Sequence, residues 1–152
     1  MKLSEVISSE VVSLNLSGTT KEEVLAEMVD LLIQSGAALQ RQVILDALME
    51  REGLGSTGIG HGVAIPHGRC AGISSPVVAL GRTRNEVEFD SIDGKPARLF
   101  FLLVAPENGS SEHLHLLARI ARLMKDPTTR DNILKASTPE AVMELIQMQE
   151  ID

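Results

Sequence analysis

Residues 98–104 read Arg98-Leu-Phe-Phe-Leu-Leu-Val104. After the arginine every side chain is apolar, so an extended chain here carries apolar groups on both faces and must be covered on both. A strand of that kind belongs inside a sheet with layers above and below it. Pro76-Val-Val-Ala-Leu80 reads as a second buried strand, and Val11-Val-Ser-Leu-Asn-Leu16 alternates as a strand does. Val87-Glu-Phe89 is a candidate short strand, followed by turn chemistry in Asp90-Ser-Ile-Asp-Gly94. Val63-Ala-Ile65 is another short strand candidate, ending at Pro66, which has no N–H for a ladder.

Helical signals surround these strands. Thr20 and Glu23 have capping-box spacing, and Val24, Leu25, Met28, Leu31 and Leu32 follow at helical intervals until Gly36. A second helix is expected over 39–52, burying Leu39, Val43, Ala47 and their neighbours. Pro106–Ser111 is a loop, and a helix is expected over 112–125, with Leu114, Leu117, Ala118, Ala121 and Met124 on its core face. Two further helices are expected over 128–136 and 139–148, the last with Thr138 at the cap and Pro139 first in the helix. The 152 residues show no repeat, linker or low-complexity tail. The reading is one α/β domain over 1–152, with a single sheet covered by helices.

There is no Trp or Tyr and there are only three Phe, so the core must be built from Leu, Ile, Val, Ala and Met. A net charge of −7 argues against nucleic acid, whose phosphates demand clustered Lys and Arg. Aromatic platforms for single-stranded bases are missing too. A protein partner with a basic face suits this charge better. A lone cysteine, Cys70, excludes an internal disulfide and fits a reducing compartment. The first residues lack the apolar core of a signal peptide, and no apolar run reaches the roughly eighteen residues of a membrane span. A cytoplasmic protein without membrane insertion is expected.

The segment Gly53-Leu-Gly-Ser-Thr-Gly-Ile-Gly-His-Gly-Val-Ala-Ile-Pro-His-Gly68 holds six of the twelve glycines and two of the four histidines. Gly53–Gly58 matches the G-x-G-x-x-G string of dinucleotide binding, but that motif needs a strand before it and a helix after it. Here a helix precedes and a short strand follows. No Lys-Ser/Thr pair completes an ATP-binding P-loop. His61, His67 and Cys70, with His113 and His115 later in the chain, offer zinc-type ligands, yet the spacing matches no usual structural site. Nothing marks Cys70 as an activated nucleophile.

A phosphoryl-accepting histidine fits the segment better. An ordinary histidine of pKa about 6.5 is roughly three-quarters neutral at pH 7, and therefore already nucleophilic. Phosphoryl transfer needs backbone donors and fixed charges around three oxygens. Glycines allow close backbone approach and an anion-binding nest, and Pro66 restrains the backbone just before His67.

Gly55-Ser-Thr-Gly-Ile-Gly60 followed by Ala64-Ile-Pro-His67-Gly68 resembles the phosphorylation site of enzyme IIA proteins of the fructose/mannitol class of the bacterial phosphotransferase system. The GSTGIG wording is most similar to the nitrogen-regulatory branch. The resemblance extends through Asp93-Gly-Lys-Pro96, Leu102-Leu-Val-Ala-Pro106 and the helix opening at His113-Leu-His115. It implies a three-layer α/β/α fold with one mixed sheet of about five strands. It also implies that His67 accepts phosphoryl from a histidine-phosphorylated carrier of the HPr type, and that His113 assists by hydrogen bonding. Arg51 corresponds to an arginine near the phosphoryl group, and the Thr57 hydroxyl to a candidate donor. No cofactor, metal or nucleotide is implied.

On a helix His113 and His115 point about 200° apart, so one site can use only one of them. His113 lies beside the core face and His115 is expected in solvent. His61 stands where relatives carry Asn or an acidic residue, which predicts a titratable ring near the nucleophile and mildly better acceptance toward pH 6. The resemblance favours a regulator that binds potassium-transport components or sensor kinases according to its phosphorylation state. The alternatives are a sugar-transport enzyme IIA feeding a separate EIIB, a small zinc-dependent hydrolase, or an adaptor in which His67 is structural.

Overall fold

The computed structural model describes residues 1–38, 40–108 and 111–150. Among the described residues six strands form one mixed sheet: β1 (Val12–Leu16), β2 (Gly58–Gly60), β3 (Val63–Ala64), β4 (His67–Cys70), β5 (Val77–Val87) and β6 (Ala97–Pro106). Five α-helices accompany it there: α1 (Lys21–Ser35), α2 (Arg41–Gly53), α3 (Glu112–Lys125), α4 (Pro127–Lys135) and α5 (Pro139–Gln149). The strand order is β1-β5-β6-β3-β2, with β4 also on β6. β1 runs parallel to β5, β5 antiparallel to β6, and β3 and β4 parallel to β6.

The doubly apolar run is the spine of this sheet. Leu99 through Val104 are at most 1% exposed, with β5 on one side and β3 then β4 on the other. The α1 helix packs on β5 and α2 on β4, whereas α3 packs on β6 and α5 on β1. Neighbouring residues of β4 show that these groups cover opposite faces. A Cβ on Gly68 would meet Ala47 of α2, while the His67 ring meets His113 of α3. Successive strand residues point to opposite faces, so the sheet lies between two helical layers.

The capping box of α1 is formed as expected. Thr20 accepts the Glu23 N–H at 3.2 Å, Glu23 accepts the Thr20 N–H at 3.2 Å, and Gly36 closes the helix at φ 80°. Replacing Thr20 with alanine is expected to cost about 1 kcal/mol in urea unfolding, and serine to restore most of it.

Two helix faces differ from expectation. In α2 the buried residues are Ile44, Leu48 and Glu52; Ala47 is partly buried, but Val43 is 42% exposed. Apolar side chains surround this helix, so spacing alone did not select a face; Leu39 lies outside the described residues. In α3 the buried set is His113, Leu116, Ile120, Leu123 and Met124, while Leu114 is 62% exposed. The expected stripe was rotated because it excluded His113, which sits in the core-facing row itself. Ala118 is exposed, and Leu117 and Ala121 are partly buried. The loop expected over 106–111 is entered at the end of β6, and its residues 109 and 110 lie outside the described residues. Pro76–Leu80 and Val87–Phe89 are not separate strands: β5 runs through 77–87, with its register shifting between Arg82 and Val87, and Glu88 and Phe89 lie beyond its end.

Candidate functional site

His67 is the first residue of β4, directly after Pro66, and pairs with Leu103 of β6. Its Nδ1 lies 2.8 Å from the carbonyl oxygen of Ile65. A carbonyl can only accept, so in the neutral ring Nδ1 carries the proton and Nε2 keeps its lone pair. The side chain is half-buried. Burial is the main cause that pushes its pKa below the ordinary histidine value, and the Arg51 charge acts the same way. The Ile65 carbonyl and Glu52 oppose this. The result is a neutral imidazole at pH 7 with a defined nucleophilic nitrogen.

His113, in the first turn of α3, lies with its ring centre 5.5 Å from that of His67, the planes tilted by 59°. It is 6% exposed. Burial first, then the neighbouring His67 and Arg69, push its pKa down to about 4, so it too is neutral at pH 7. Its Nδ1 is buried with no hydrogen-bond partner among the described residues. The two rings share a cleft of about 360 Å³ with Arg51, Arg69 and the 82% exposed Leu54. His115 is exposed, as its angular position required.

The expected site residues therefore divide. His67, His113 and Arg51 come together; Arg51 donates from Nη1 to the Gly55 carbonyl at 2.8 Å while lining the cleft. Thr57 lies behind them, 5% exposed, and does not line the cleft. Its hydroxyl donates to Glu52 Oε1 at 2.6 Å, and its N–H to both carboxylate oxygens at 3.0 and 2.9 Å. The hydroxyl proton is thus committed to Glu52 and is not offered to the cleft. Arg69 was missed, although the two-residue period of a strand places it on the same face as His67.

The glycines serve packing and turning more than anion binding. The β2–β3 hairpin turns through Gly60, His61 and Gly62 at φ 93°, 59° and 77°. A Cβ on Gly58 would come within 2.9 Å of the Ser91 Cα. The N–H groups of Thr57, Gly58, His61 and Ile65 are taken by Glu52, the Ser56 hydroxyl, Asp93 and the Thr57 carbonyl. The anion nest expected of this segment is not built from those four donors.

His61 does not approach the cleft. Val63 pairs with Leu99 and His67 with Leu103, four residues along β6, and His61 lies beyond Val63 in the hairpin turn. That separates it from His67 by more than about 13 Å. The expected local influence of its charge has no geometric basis, and His61→Asn should leave the pH profile of phosphoryl acceptance unchanged, measured from pH 6 to 8. The H-x5-H-x2-C ligand set is scattered: His61 lies away in the hairpin turn, and Cys70, three residues along β4, faces the other side of the sheet from His67. The described residues contain no group of three or more His, Cys, Asp or Glu able to hold a metal. Cys70 is buried, and burial, with Glu107, pushes its thiol pKa up, away from a reactive thiolate. The dinucleotide string also lies in the wrong order, after α2 and before β2.

A family profile described as phosphoenolpyruvate-dependent sugar phosphotransferase system, EIIA 2, matches residues 5–149. The chain belongs to this family. Among its EIIA relatives, the fructose-specific EIIABC component of the phosphotransferase system of Bacillus subtilis is 36% identical over 99% of the chain. The match spans only 24% of that longer protein. A nitrogen regulatory protein of Pseudomonas aeruginosa is also 36% identical, over 96% of this chain and 95% of its own length. The crystal structure of the nitrogen regulatory protein IIA-Ntr from Neisseria meningitidis superimposes with a TM-score of 0.88 at 36% identity, covering 95% of this chain and 98% of that one. Among the described residues, no helix is long and apolar enough to cross a membrane.

Proposed function

We propose that residues 1–152 act as one EIIA type-2 domain that accepts a phosphoryl group on Nε2 of His67 from a histidine-phosphorylated carrier of the HPr type. The observation that carries this reading is the 2.8 Å contact between Nδ1 and the Ile65 carbonyl, which leaves Nε2 as the lone-pair nitrogen in a cleft with two guanidinium groups. The Nε2 lone pair forms the new N–P bond as the N–P bond to the donor histidine breaks, its electron pair returning to the donor ring. Charge spread over the three phosphoryl oxygens is met by Arg51 and Arg69. His113, uncharged at pH 7, offers a hydrogen bond from its ring without carrying the group. No cofactor or metal takes part.

The output of the modified state is regulatory. Phosphorylation adds close to two negative charges and three acceptor oxygens to the cleft, enough to change which partner binds there. The nitrogen regulatory relatives, matched over nine-tenths or more of their own length, support a regulatory role, and the targets we propose are potassium-transport components or sensor kinases in the cytoplasm. The fructose-specific relative supports a second reading, in which His67 hands its phosphoryl group to a separate EIIB.

Incubation with phosphoenolpyruvate, enzyme I and an HPr-type carrier tests the shared step by intact mass. A gain of one acid-labile phosphoryl group is expected; none with any carrier would overturn the reading. Adding a fructose-type EIIB then separates the two outputs, since rapid discharge to it favours the sugar reading.

A further inference from the structure

Two carboxylates stand near the site without a part in the transfer step: Glu50, which lines the cleft and is exposed, and Glu52, which is buried behind it. Glu52 is the informative one. It lies in the last turn of α2, next to Arg51, and is 8% exposed. Burying a carboxylate costs several kcal/mol unless hydrogen bonds and counter-charges offset it, so its partners indicate its role. Thr57 supplies its N–H and its hydroxyl. Lys21 Nζ approaches to 4.0 Å, held in place by Asp90 at 3.1 Å and by the Phe89 ring, whose centre is 4.8 Å away.

These bonds fold the segment after α2 back onto the helix end. Leu54 N–H donates to the Arg51 carbonyl and Gly55 N–H to the Glu52 carbonyl, so 53–57 forms a tight return. Thr57 closes the return against the Glu52 side chain. The same return presents the Gly55 carbonyl to Arg51 Nη1. Glu52 therefore reaches the cleft through a chain of contacts: its carboxylate fixes Thr57, the fixed segment places the Gly55 carbonyl, and that carbonyl holds one arm of the guanidinium.

We propose that Glu52 is a positioning residue for phosphoryl acceptance, clamping Thr57 so that Arg51 is held at the cleft beside His67. The inference rests on the reading of His67 as acceptor given above. A guanidinium held by one arm keeps its remaining donors in a fixed fork, suited to phosphoryl oxygens. Misplacing such a group by about 1 Å costs on the order of 10²-fold in rate.

The test is the rate of phosphoryl acceptance from the carrier, resolved into kcat and KM, for Glu52→Gln, Glu52→Ala, Thr57→Val and Arg51→Ala. Glutamine retains an oxygen that can take both Thr57 donors, and is expected to stay within about threefold of wild type. Alanine should lower kcat by about tenfold or more while KM for the carrier stays within about twofold. In an Arg51→Ala background the same change should add almost nothing, because both act through one group. Glu52→Ala also leaves the Thr57 hydroxyl and N–H without their acceptor, so Thr57→Val, which removes only the hydroxyl, keeps the test decisive should the alanine variant fail to fold; several-fold slower transfer is expected of it. Nitrogen-15 relaxation of the Arg51 Nε–H should show the guanidinium ordered in wild type and mobile in the folded clamp variants. An unchanged kcat in Glu52→Ala and Thr57→Val, or full additivity with Arg51→Ala, overturns the proposal. A wild type that takes no phosphoryl group at all overturns the acceptor reading instead.

Discussion

Replacing His67 with alanine is expected to abolish phosphoryl acceptance while leaving the fold intact. The prediction is absolute because no second imidazole can take over. His113 is near, but it is 6% exposed and its pKa is depressed to about 4, so it is both shielded and weakly basic. His61 lies in the distant β2–β3 turn, and His115 points away from the cleft. The structural cost is small: the ring is half-buried and gives up one hydrogen bond to Ile65, about 1 kcal/mol. Intact mass after incubation with the phosphorylated carrier should show no gain for the variant, alongside an unfolding curve close to that of wild type. In wild type, phosphorus–nitrogen coupling should place the group on Nε2. Attachment at Nδ1 would require the Ile65 contact to break, and finding it there would refute the tautomer argument.

The parts legible in the amino-acid sequence were those set by local chemistry. The β6 run could only be an interior strand, the Thr20–Glu23 box could only open a helix, and Pro139 after Thr138 could only start one. His67, His113 and Arg51 were found through the wording around them and do meet in one cleft. The parts that were not legible depend on contacts between distant segments. Gly58–Gly60 and His67–Cys70 have weak strand propensity and are strands because β3 and β6 lie beside them. The face of α3 was misjudged because a buried histidine took a place that hydrophobicity assigns to leucine. Thr57 was expected to face the phosphoryl group, and only the fold of 53–57 reveals that Glu52 claims its hydroxyl. Glu52 itself looks like any charged residue near a helix end; its partners are Thr57, across the return after α2, and Lys21, thirty-one positions earlier, at 4.0 Å.

Acid should destabilise this protein through His113, and replacing that residue should remove the effect together with efficient transfer. Its pKa is about 4 in the folded chain against 6.5 for a free ring, chiefly because burial disfavours the charged form. Between those values the unfolded chain binds a proton that the folded chain does not. Stability from this group is therefore complete above pH 6.5 and is lost as pH falls through the window to about 4. The full difference is at most about 3 kcal/mol. His67, shifted the same way, adds to the acid loss in both proteins, as do the lowered carboxyls of Glu23 and Asp93 further down the pH scale. A comparison of wild type with His113→Leu isolates the single ring, since leucine fills the same buried site and leaves no orphaned nitrogen there. Urea unfolding from pH 7 to 4.5 should give a clearly steeper loss for wild type, and parallel lines would sink the argument. The same substitution deprives the cleft of its one uncharged ring donor, and the rate of phosphoryl acceptance at pH 7 should fall on the order of 10²-fold. Because the ring is already neutral at pH 7, that deficit should stay constant from pH 6.5 to 8. A deficit that grew toward pH 6.5 would instead mean that His113 acts as a cation.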